Sequence, residues 1–303
     1  MKIYIVGTGG VGGYFGGVLA KVGNDVTFVA RGENFKAIRE NGLIVKSVIG
    51  NFTVKAIKVI EKISEIKNPD LIIFTVKTYD TESVAKELDS VVNGKTIIIT
   101  FQNGIDNDNE IKKYIQNAQI YPGVAYVVSA KPKPGIIEQT GGLRRLIAGD
   151  RKSQNNKRLE EIVEIMKKSG IDAVLSDDIT KELWKKYMLI VAYAGMTAVC
   201  RSPIGKVLGD PSTKSLYERC VKEAVVVARA LRVNIPDDSF EIIMKTSIST
   251  APYSKSSLLV DIENGRKTEI ETLNGTLVRL AKEKNIDVPI NELIYGAIKL
   301  LAG

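Results

Sequence analysis

A glycine-rich turn near the N-terminus is the clearest chemical signal in the chain. An apolar run at residues 2–6 leads directly into G-x-G-x-x-G, and an apolar stretch with helical spacing follows over residues 11–22. Such glycines permit a tight turn, close approach of a pyrophosphate and close helix–strand packing, while the helix N-terminus offers free N–H groups. The alternatives are a loop that binds another nucleotide or none. The strand–turn–helix–strand order favours a dinucleotide site at Gly7, Thr8, Gly9, Gly10, Val11 and Gly12.

The residue after the second predicted strand indicates which dinucleotide binds. That strand covers residues 25–30 and is followed by Arg31. NAD-binding chains usually place an acid here for the ribose 2′-hydroxyl, whereas a guanidinium suits a 2′-phosphate. The sequence therefore predicts NADP(H) rather than NAD(H), the alternative being that Arg31 is a solvated surface charge.

Two polar residues follow later predicted strands. Lys77 ends the apolar run 70–77, and Asn103 follows the run 96–100. Ligands of open α/β sheets lie beyond the carboxyl ends of the strands. Lys77 could therefore face a phosphate or a substrate anion, and Asn103 could bind the nicotinamide ribose or the substrate. The alternative for both is an ordinary polar residue at a strand end.

Two adjacent lysines stand at the polar edge of the most apolar predicted helix. Lys185 and Lys186 precede the apolar run 188–200. A lysine that is partly desolvated there would have a lowered pKa and could protonate a carbonyl oxygen during hydride transfer. Either lysine could instead be a surface residue with a buried stem. Spacing alone does not choose between them.

A second candidate segment covers residues 256–271. It predicts a helix end at Asn264-Gly265 and a new helix with Thr268 as N-cap and Glu271 completing a capping box. Glu269 would then lie in the first turn. It would either interact with the helix dipole or accept a hydrogen bond from a substrate hydroxyl.

Strand and helix patterns divide the chain in two. We predict an α/β Rossmann domain with a mostly parallel, doubly wound sheet over residues 1–175, and an all-α domain over residues 176–303. Within the first domain, predicted strands include a hairpin of 43–48 and 52–59, then 119–129, 136–139 and 143–148. Predicted helices are 81–88, 109–115, 183–200, 212–231, 239–244, 256–263, 268–284 and 291–301.

Composition narrows the function classes. The net charge of +8 favours anionic ligands, but the basic residues alternate with acids, so nucleic acid is not an expected partner. The chain has no histidine, which excludes Ser–His or Cys–His chemistry and histidine-containing zinc sites. Its two cysteines predict neither a metal cluster nor a disulfide framework, and suggest a reducing cytoplasm. No signal peptide or membrane segment is expected.

Taken together, these residues make the whole chain resemble the ketopantoate reductase (2-dehydropantoate 2-reductase) family. The resemblance implies an NADPH-dependent 2-oxo acid reductase of pantothenate and coenzyme A biosynthesis, with a Rossmann domain and a helical domain. The motifs that carry it are the glycine turn with Arg31, Val76-Lys77, Gln102-Asn103-Gly104, Gly123-Val124, Trp184-Lys185-Lys186, Ser256-Ser257-Leu258, Asp261 and Lys267-Thr268-Glu269-Ile270.

The resemblance also implies roles for individual residues. Lys186, rather than Lys185, would be the general acid. Glu269 would hold the substrate hydroxyl and Ser257 its carboxylate. Asn103 and Lys77 would serve both cofactor and substrate. Arg31 would bind the 2′-phosphate, and Glu269 would also border the cofactor.

One departure from the family pattern keeps the substrate open. Family members carry asparagines four and eight residues after the lysine, where this chain has Ile190 and Ala194. Tyr193 and Thr197 are candidates to replace their hydrogen bonds. Three hypotheses follow: a ketopantoate reductase, a reductase of a more apolar 2-oxo acid, or an NADPH-binding regulatory protein without turnover. A homodimer is also left open.

Overall fold

The computed structural model describes residues 1–152 and 156–301 of the 303-residue chain. The chain forms two compact units. The first contains Met1–Gln102 and Asp106–Ile179, and the second contains Asn103–Ile105 and Thr180–Gly303. The short segment Asn103–Ile105 therefore belongs to the second unit, although the residues just before it in the chain belong to the first.

The first unit is built on a single mixed sheet. Its strands are β1 (Lys2–Val6), β2 (Asp25–Val29), β3 (Leu43–Ser47), β4 (Phe52–Val54), β5 (Lys58–Ile60), β6 (Leu71–Phe74), β7 (Ile97–Thr100), β8 (Gln119–Lys133), β9 (Ile136–Gly149) and β10 (Asp172–Ser176). The order is β4-β3-β9-β8-β7-β6-β1-β2-β5, and β10 pairs with β9. The run from β5 to β8 is parallel, whereas β8–β9 and β3–β4 are antiparallel. The predicted Rossmann-type fold is confirmed.

Apolar side chains cover both faces of the parallel strands. Along β1, Ile3 and Ile5 lie in one buried cluster while Tyr4 and Val6 lie in the other. This explains why the central strands read as continuous apolar runs instead of alternating ones. The helices of this unit are α1 (Gly10–Lys21), α2 (Gly32–Asn41), α3 (Thr81–Asp89), α4 (Asn107–Lys112) and α5 (Lys157–Lys168).

The predicted single strand over residues 52–59 is wrong. The chain turns after β4, where the Ile57 N–H donates to the Lys55 carbonyl, so that β5 pairs with β2 at the opposite edge of the sheet. Apolar spacing could not reveal this change of partner. The local sequence patterns also did not predict α2, α5 and β10.

The second unit is helical, as predicted. It contains α6 (Ile179–Val199), α7 (Ile204–Gly209), α8 (Pro211–Ala230), α9 (Ser239–Ser249), α10 (Ser257–Glu263), α11 (Thr276–Glu283) and α12 (Pro289–Leu301). A π-helical turn, Glu271–Gly275, precedes α11. In the part of the chain that the structure describes, no helix combines the length and the apolarity needed to cross a bilayer.

The predicted continuous helix over residues 268–284, capped at Thr268, is wrong. The π-helical turn begins after Ile270, and the Gly275 N–H donates to the Ile270 carbonyl five residues back. The Glu271 carboxylate instead accepts from Tyr295, at 2.8 Å, and pairs with Lys299, at 3.1 Å. These partners on α12 outcompete the local capping box. The helix end at Asn264-Gly265 is confirmed, and Gly265 has φ +60°.

Candidate functional site

The glycine turn of the first unit has the shape that a dinucleotide pyrophosphate requires. Gly7 has φ +101°, and a Cβ there would lie 2.5 Å from the Val76 nitrogen. A Cβ on Gly12 would collide with the Thr75 side chain and the Gly7 carbonyl. Beside Gly9, by contrast, no atom of the described residues lies within 4 Å of a Cβ position. Two glycines thus permit close packing, and the third faces open space that a ligand can enter.

The N-terminus of α1 is suited to an anion. Gly9 occupies the N-cap position without a side-chain cap, and the first turn of α1 contains no acidic residue among those described. Its N–H groups, beginning at Gly10 and Val11, are therefore not satisfied by a capping side chain. The Thr8 hydroxyl donates to the Val29 carbonyl at 2.8 Å, which fastens the turn to β2. These residues fit the phosphates of a dinucleotide.

Arg31 lies directly after β2, at the N-cap of α2. Its guanidinium pairs with Glu87 at 3.2 Å, and both side chains are at least half exposed. The adjacent Gly32 N–H donates to the Glu61 carboxylate at 3.0 Å. Because an exposed ion pair is worth little, an incoming phosphate can take the place of Glu87.

Lys77 lies near the glycine turn in the first unit. It follows β6, which pairs with β1, and it begins a short 3₁₀ turn, Thr78–Asp80. The carboxyl ends of parallel strands meet at one edge, so that Lys77 shares this edge with Gly7 and Arg31. The structure thus brings the predicted cofactor residues of this unit to one place.

In the second unit, Lys186 and Asn103 are in direct contact. The Lys186 ammonium donates to the Asn103 side-chain oxygen at 2.7 Å. Burial lowers the pKa of Lys186 to about 8, while the negative charge of Glu269 acts in the opposite direction. The neighbouring Lys185 instead pairs with Glu182 at 3.0 Å, and its side chain is 39% exposed. Of the two lysines, Lys186 therefore has the environment of a proton donor.

Buried aromatic residues next to Lys186 anchor α6 within the second unit. Trp184 and Tyr187 flank it with ring centroids 5.4 Å apart, and both are buried. The Tyr187 hydroxyl donates to the Leu273 carbonyl in the π-helical turn at 2.6 Å. These contacts tie α6 to the segment that carries Glu269. Sequence reasoning missed the role of Tyr187, because its partner lies 86 residues away.

Glu269 and Ser257 complete the predicted set in the second unit. Glu269 is buried, and its backbone carbonyl accepts from the N–H groups of Thr272 and Leu273. Ser257 is exposed at the first position of α10. The preceding Ser256 is buried and caps α10 by accepting from the Leu259 N–H at 3.1 Å. The structure thus places Lys186, Asn103 and Glu269 together, and leaves the Ser257 hydroxyl accessible.

The residues of α6 beyond Lys186 are mostly apolar. Ala194 is buried and Ile190 is partly buried. Thr197 uses its hydroxyl within the protein, on the Tyr193 carbonyl at 2.6 Å and on Ser256 at 2.8 Å. Burial raises the pKa of the Tyr193 hydroxyl to about 12, so that it remains protonated at neutral pH. The Thr197 hydroxyl is thus already hydrogen-bonded within the protein. Within the described part of the chain, Tyr193 is therefore the better of the two candidates to replace the asparagines.

Family models match nearly the whole chain. The model described as ketopantoate reductase PanE/ApbA matches residues 3–153, and its C-terminal counterpart matches residues 178–302. The uncharacterized oxidoreductase YkpB of Bacillus subtilis is 30% identical over 99% of this chain and 98% of its own. A 2-dehydropantoate 2-reductase of Pyrococcus horikoshii is 29% identical, covering 99% and 97%. A PanE/ApbA family ketopantoate reductase from Ralstonia eutropha superposes with a TM-score of 0.92 at 28% identity, covering 100% and 98%.

Proposed function

The chain belongs to the ketopantoate reductase PanE/ApbA family, and we propose that it reduces ketopantoate (2-dehydropantoate) to pantoate. It is an NADP(H)-dependent oxidoreductase of the 2-dehydropantoate 2-reductase type. The proposed reaction belongs to pantothenate and coenzyme A biosynthesis. One observation carries the proposal above all: Lys186 contacts Asn103, responds to the charge of Glu269 and has a pKa lowered to about 8.

The residues of the first unit would bind the cofactor. The glycine turn and the N-terminus of α1 would hold the pyrophosphate, and Arg31 the 2′-phosphate. Lys77, at the same edge of the sheet, would hold a cofactor or substrate anion. NADPH, when bound, supplies the hydride that C2 of the oxo acid receives.

The residues of the second unit would bind the substrate and supply the proton. The Lys186 ammonium donates a hydrogen bond to the 2-oxo oxygen and then gives up its proton as negative charge develops there. Asn103 holds the ammonium in place and borders the cofactor. The Glu269 carboxylate accepts a hydrogen bond from the substrate hydroxyl, and the Ser257 hydroxyl donates to the substrate carboxylate.

The pH dependence of reduction tests the role of Lys186. The acid must be protonated, and burial lowers the pKa of Lys186 to about 8. We therefore expect kcat/KM for ketopantoate, which reports the pKa of the substrate-free enzyme, to be level below that pH and to fall about tenfold per pH unit well above it. Lys186→Arg, whose guanidinium does not titrate in this range, should be slower and lack this descending limb. A wild-type profile that stays level to pH 10 would contradict the assignment.

Arg31 should set the preference for NADPH. Removing a charge-assisted hydrogen bond costs about 1.5–3 kcal/mol, so that Arg31→Ala should raise the KM for NADPH by about 10- to 100-fold. The KM for NADH should change little, because NADH has no 2′-phosphate. Lys36→Ala on α2, whose exposed side chain pairs with Glu33, serves as the matched control. Equal changes for NADPH and NADH would exclude this role.

The substrate is tested by following NADPH oxidation with purified protein. Ketopantoate should be turned over with a higher kcat/KM than 2-oxo acids that lack its hydroxyl. The apolar Ile190 and Ala194 favour a second candidate, a reductase of a more apolar 2-oxo acid. A substrate panel that ranks such an acid first would support that candidate. NADPH binding without turnover of any 2-oxo acid would instead indicate a regulatory protein.

The proposal also includes a cellular location and an oligomeric state. A cytoplasmic location fits Cys200 and Cys220, neither of which forms a disulfide. The homodimer remains a prediction, which sedimentation of the purified protein would test.

A further inference from the structure

A buried pair of hydroxyl groups joins α6 to the beginning of α10. The Thr197 and Ser256 oxygens lie 2.8 Å apart, and the two residues are 0% and 3% exposed. The Thr197 oxygen also contacts the Tyr193 carbonyl one turn back on α6. The Ser256 oxygen accepts from the Leu259 N–H in α10. A continuous set of hydrogen bonds thus runs from the backbone of one helix to that of the other.

This connection is directly next to Ser257 in the chain. Ser256 is extended, with φ −70° and ψ 156°, and α10 begins at the next residue. The Ser256 side chain therefore links the first turn of α10, through the Leu259 N–H, to Thr197 on α6, and the exposed Ser257 lies in that turn. Hydroxyl pairs that are shielded from water resist separation, because a broken bond leaves buried polar atoms unsatisfied.

We infer that Thr197 is a positioning residue, which holds Ser257 where its hydroxyl meets the carboxylate of the 2-oxo acid. The inference rests on the proposed function, in which Ser257 binds that carboxylate. Thr197 acts through Ser256 and does not itself touch the substrate. Because Thr197 and Lys186 are on the same helix, α6 would fix both the proton donor and, through Ser256, the residue that binds the carboxylate.

The test compares Thr197→Val with the wild-type protein. Valine keeps the shape of threonine but removes the oxygen. We expect the KM for ketopantoate to rise about tenfold, the equivalent of roughly 1.4 kcal/mol of binding. The value of kcat and the Kd of NADPH should stay close to those of the wild type, since Lys186 and the first unit are unchanged. Thr197→Ser, which restores the hydroxyl, should return the KM to near the wild-type value.

Ser247→Ala provides a matched control for a purely structural effect. The Ser247 hydroxyl is also buried, also contacts the carbonyl four residues back, at Ile243, and also contacts one further hydroxyl, that of Tyr217 at 2.7 Å. Its loss should lower the melting temperature much as Thr197→Val does, without raising the KM. An equal rise of KM in Ser247→Ala, or no rescue by Thr197→Ser, would overturn the inference.

Ser257→Ala separates failure of this inference from failure of the proposed function. If Ser257→Ala raises the KM for ketopantoate and Thr197→Val does not, Ser257 binds the substrate without help from Thr197, and the inference alone is wrong. If Ser257→Ala leaves the KM unchanged, the assigned role of Ser257 is wrong, and the inference falls with it. Titration of ketopantoate into the enzyme–NADP⁺ complex gives the same comparison without turnover.

Discussion

Lys186→Ala is expected to lower kcat for ketopantoate reduction by about 10²- to 10⁴-fold, the usual contribution of a positioned general acid. In the proposed mechanism the ammonium both donates a hydrogen bond to the 2-oxo oxygen and supplies its proton, so that its removal takes away both interactions with the developing charge. Binding of NADPH should be retained, because the glycine turn and Arg31 belong to the other unit. Stopped-flow reduction and fluorescence titration with NADPH measure the two effects separately.

Lys185→Ala is the matched control for this experiment. It removes an adjacent lysine from the same helix, but one whose ammonium pairs with Glu182 and whose side chain is 39% exposed. Its kcat should remain within about twofold of the wild-type value, because this partly exposed ion pair has no role in the proposed reaction. Near-normal turnover by Lys186→Ala, or an equally large loss in Lys185→Ala, would refute the assignment of the acid.

The features that sequence predicted well are those that neighbouring residues determine. The glycine turn follows from a strand, three glycines and a helix within about twelve residues, and the structure retains each of these parts. The helix end at Asn264-Gly265 is equally local, because glycine readily adopts the left-handed conformation found there. Such signals need no knowledge of the rest of the fold.

The features that sequence missed depend on distant partners. The capping box at Thr268 is a sound local pattern, but Glu271 finds Tyr295 and Lys299 on a helix that follows in the chain. The split of residues 52–59 likewise depends on β2, which offers an edge to β5. In the first case tertiary contacts outweigh a helix-capping preference of about 1 kcal/mol.

The two lysines show the same distinction within the candidate site. Sequence spacing alone did not distinguish Lys185 from Lys186 as the proton donor. Only the resemblance to a family favoured Lys186. The structure supplies the physical difference, since Lys186 meets Asn103 from a segment 83 residues earlier in the chain. Apolar periodicity contains no information about contacts between such distant segments. The Thr197–Ser256 contact joins residues 59 apart in the chain and could not be predicted for the same reason.

Glu269→Gln is expected to change both the rate and its pH dependence. Gln keeps the shape of the side chain but loses the charge, so the proposed hydrogen bond to the substrate hydroxyl should weaken. The kcat/KM for ketopantoate should fall about 10- to 100-fold, in line with the 1.5–3 kcal/mol of a hydrogen bond to a charged group. Steady-state rates over a range of ketopantoate concentrations at neutral pH measure this loss.

The pH profile gives the sharper result. The negative charge of Glu269 raises the pKa of Lys186 and so opposes the effect of burial. Removing that charge lets the pKa of Lys186 fall below about 8. The descending limb of the kcat/KM profile should therefore move to lower pH in Glu269→Gln, because the ammonium loses its proton at a lower pH. A general loss of stability would lower the rate without moving the limb.

Glu271→Gln is the control for both effects of Glu269→Gln. It lies two residues further along the chain, and its carboxylate is committed to Tyr295 and Lys299 on α12. We expect its kcat/KM and the position of its descending limb to match those of the wild type. If Glu269→Gln kept the wild-type limb while losing activity, Glu269 would act on the substrate alone. A limb that moved equally in both variants would show a general electrostatic effect in place of a specific interaction with Lys186.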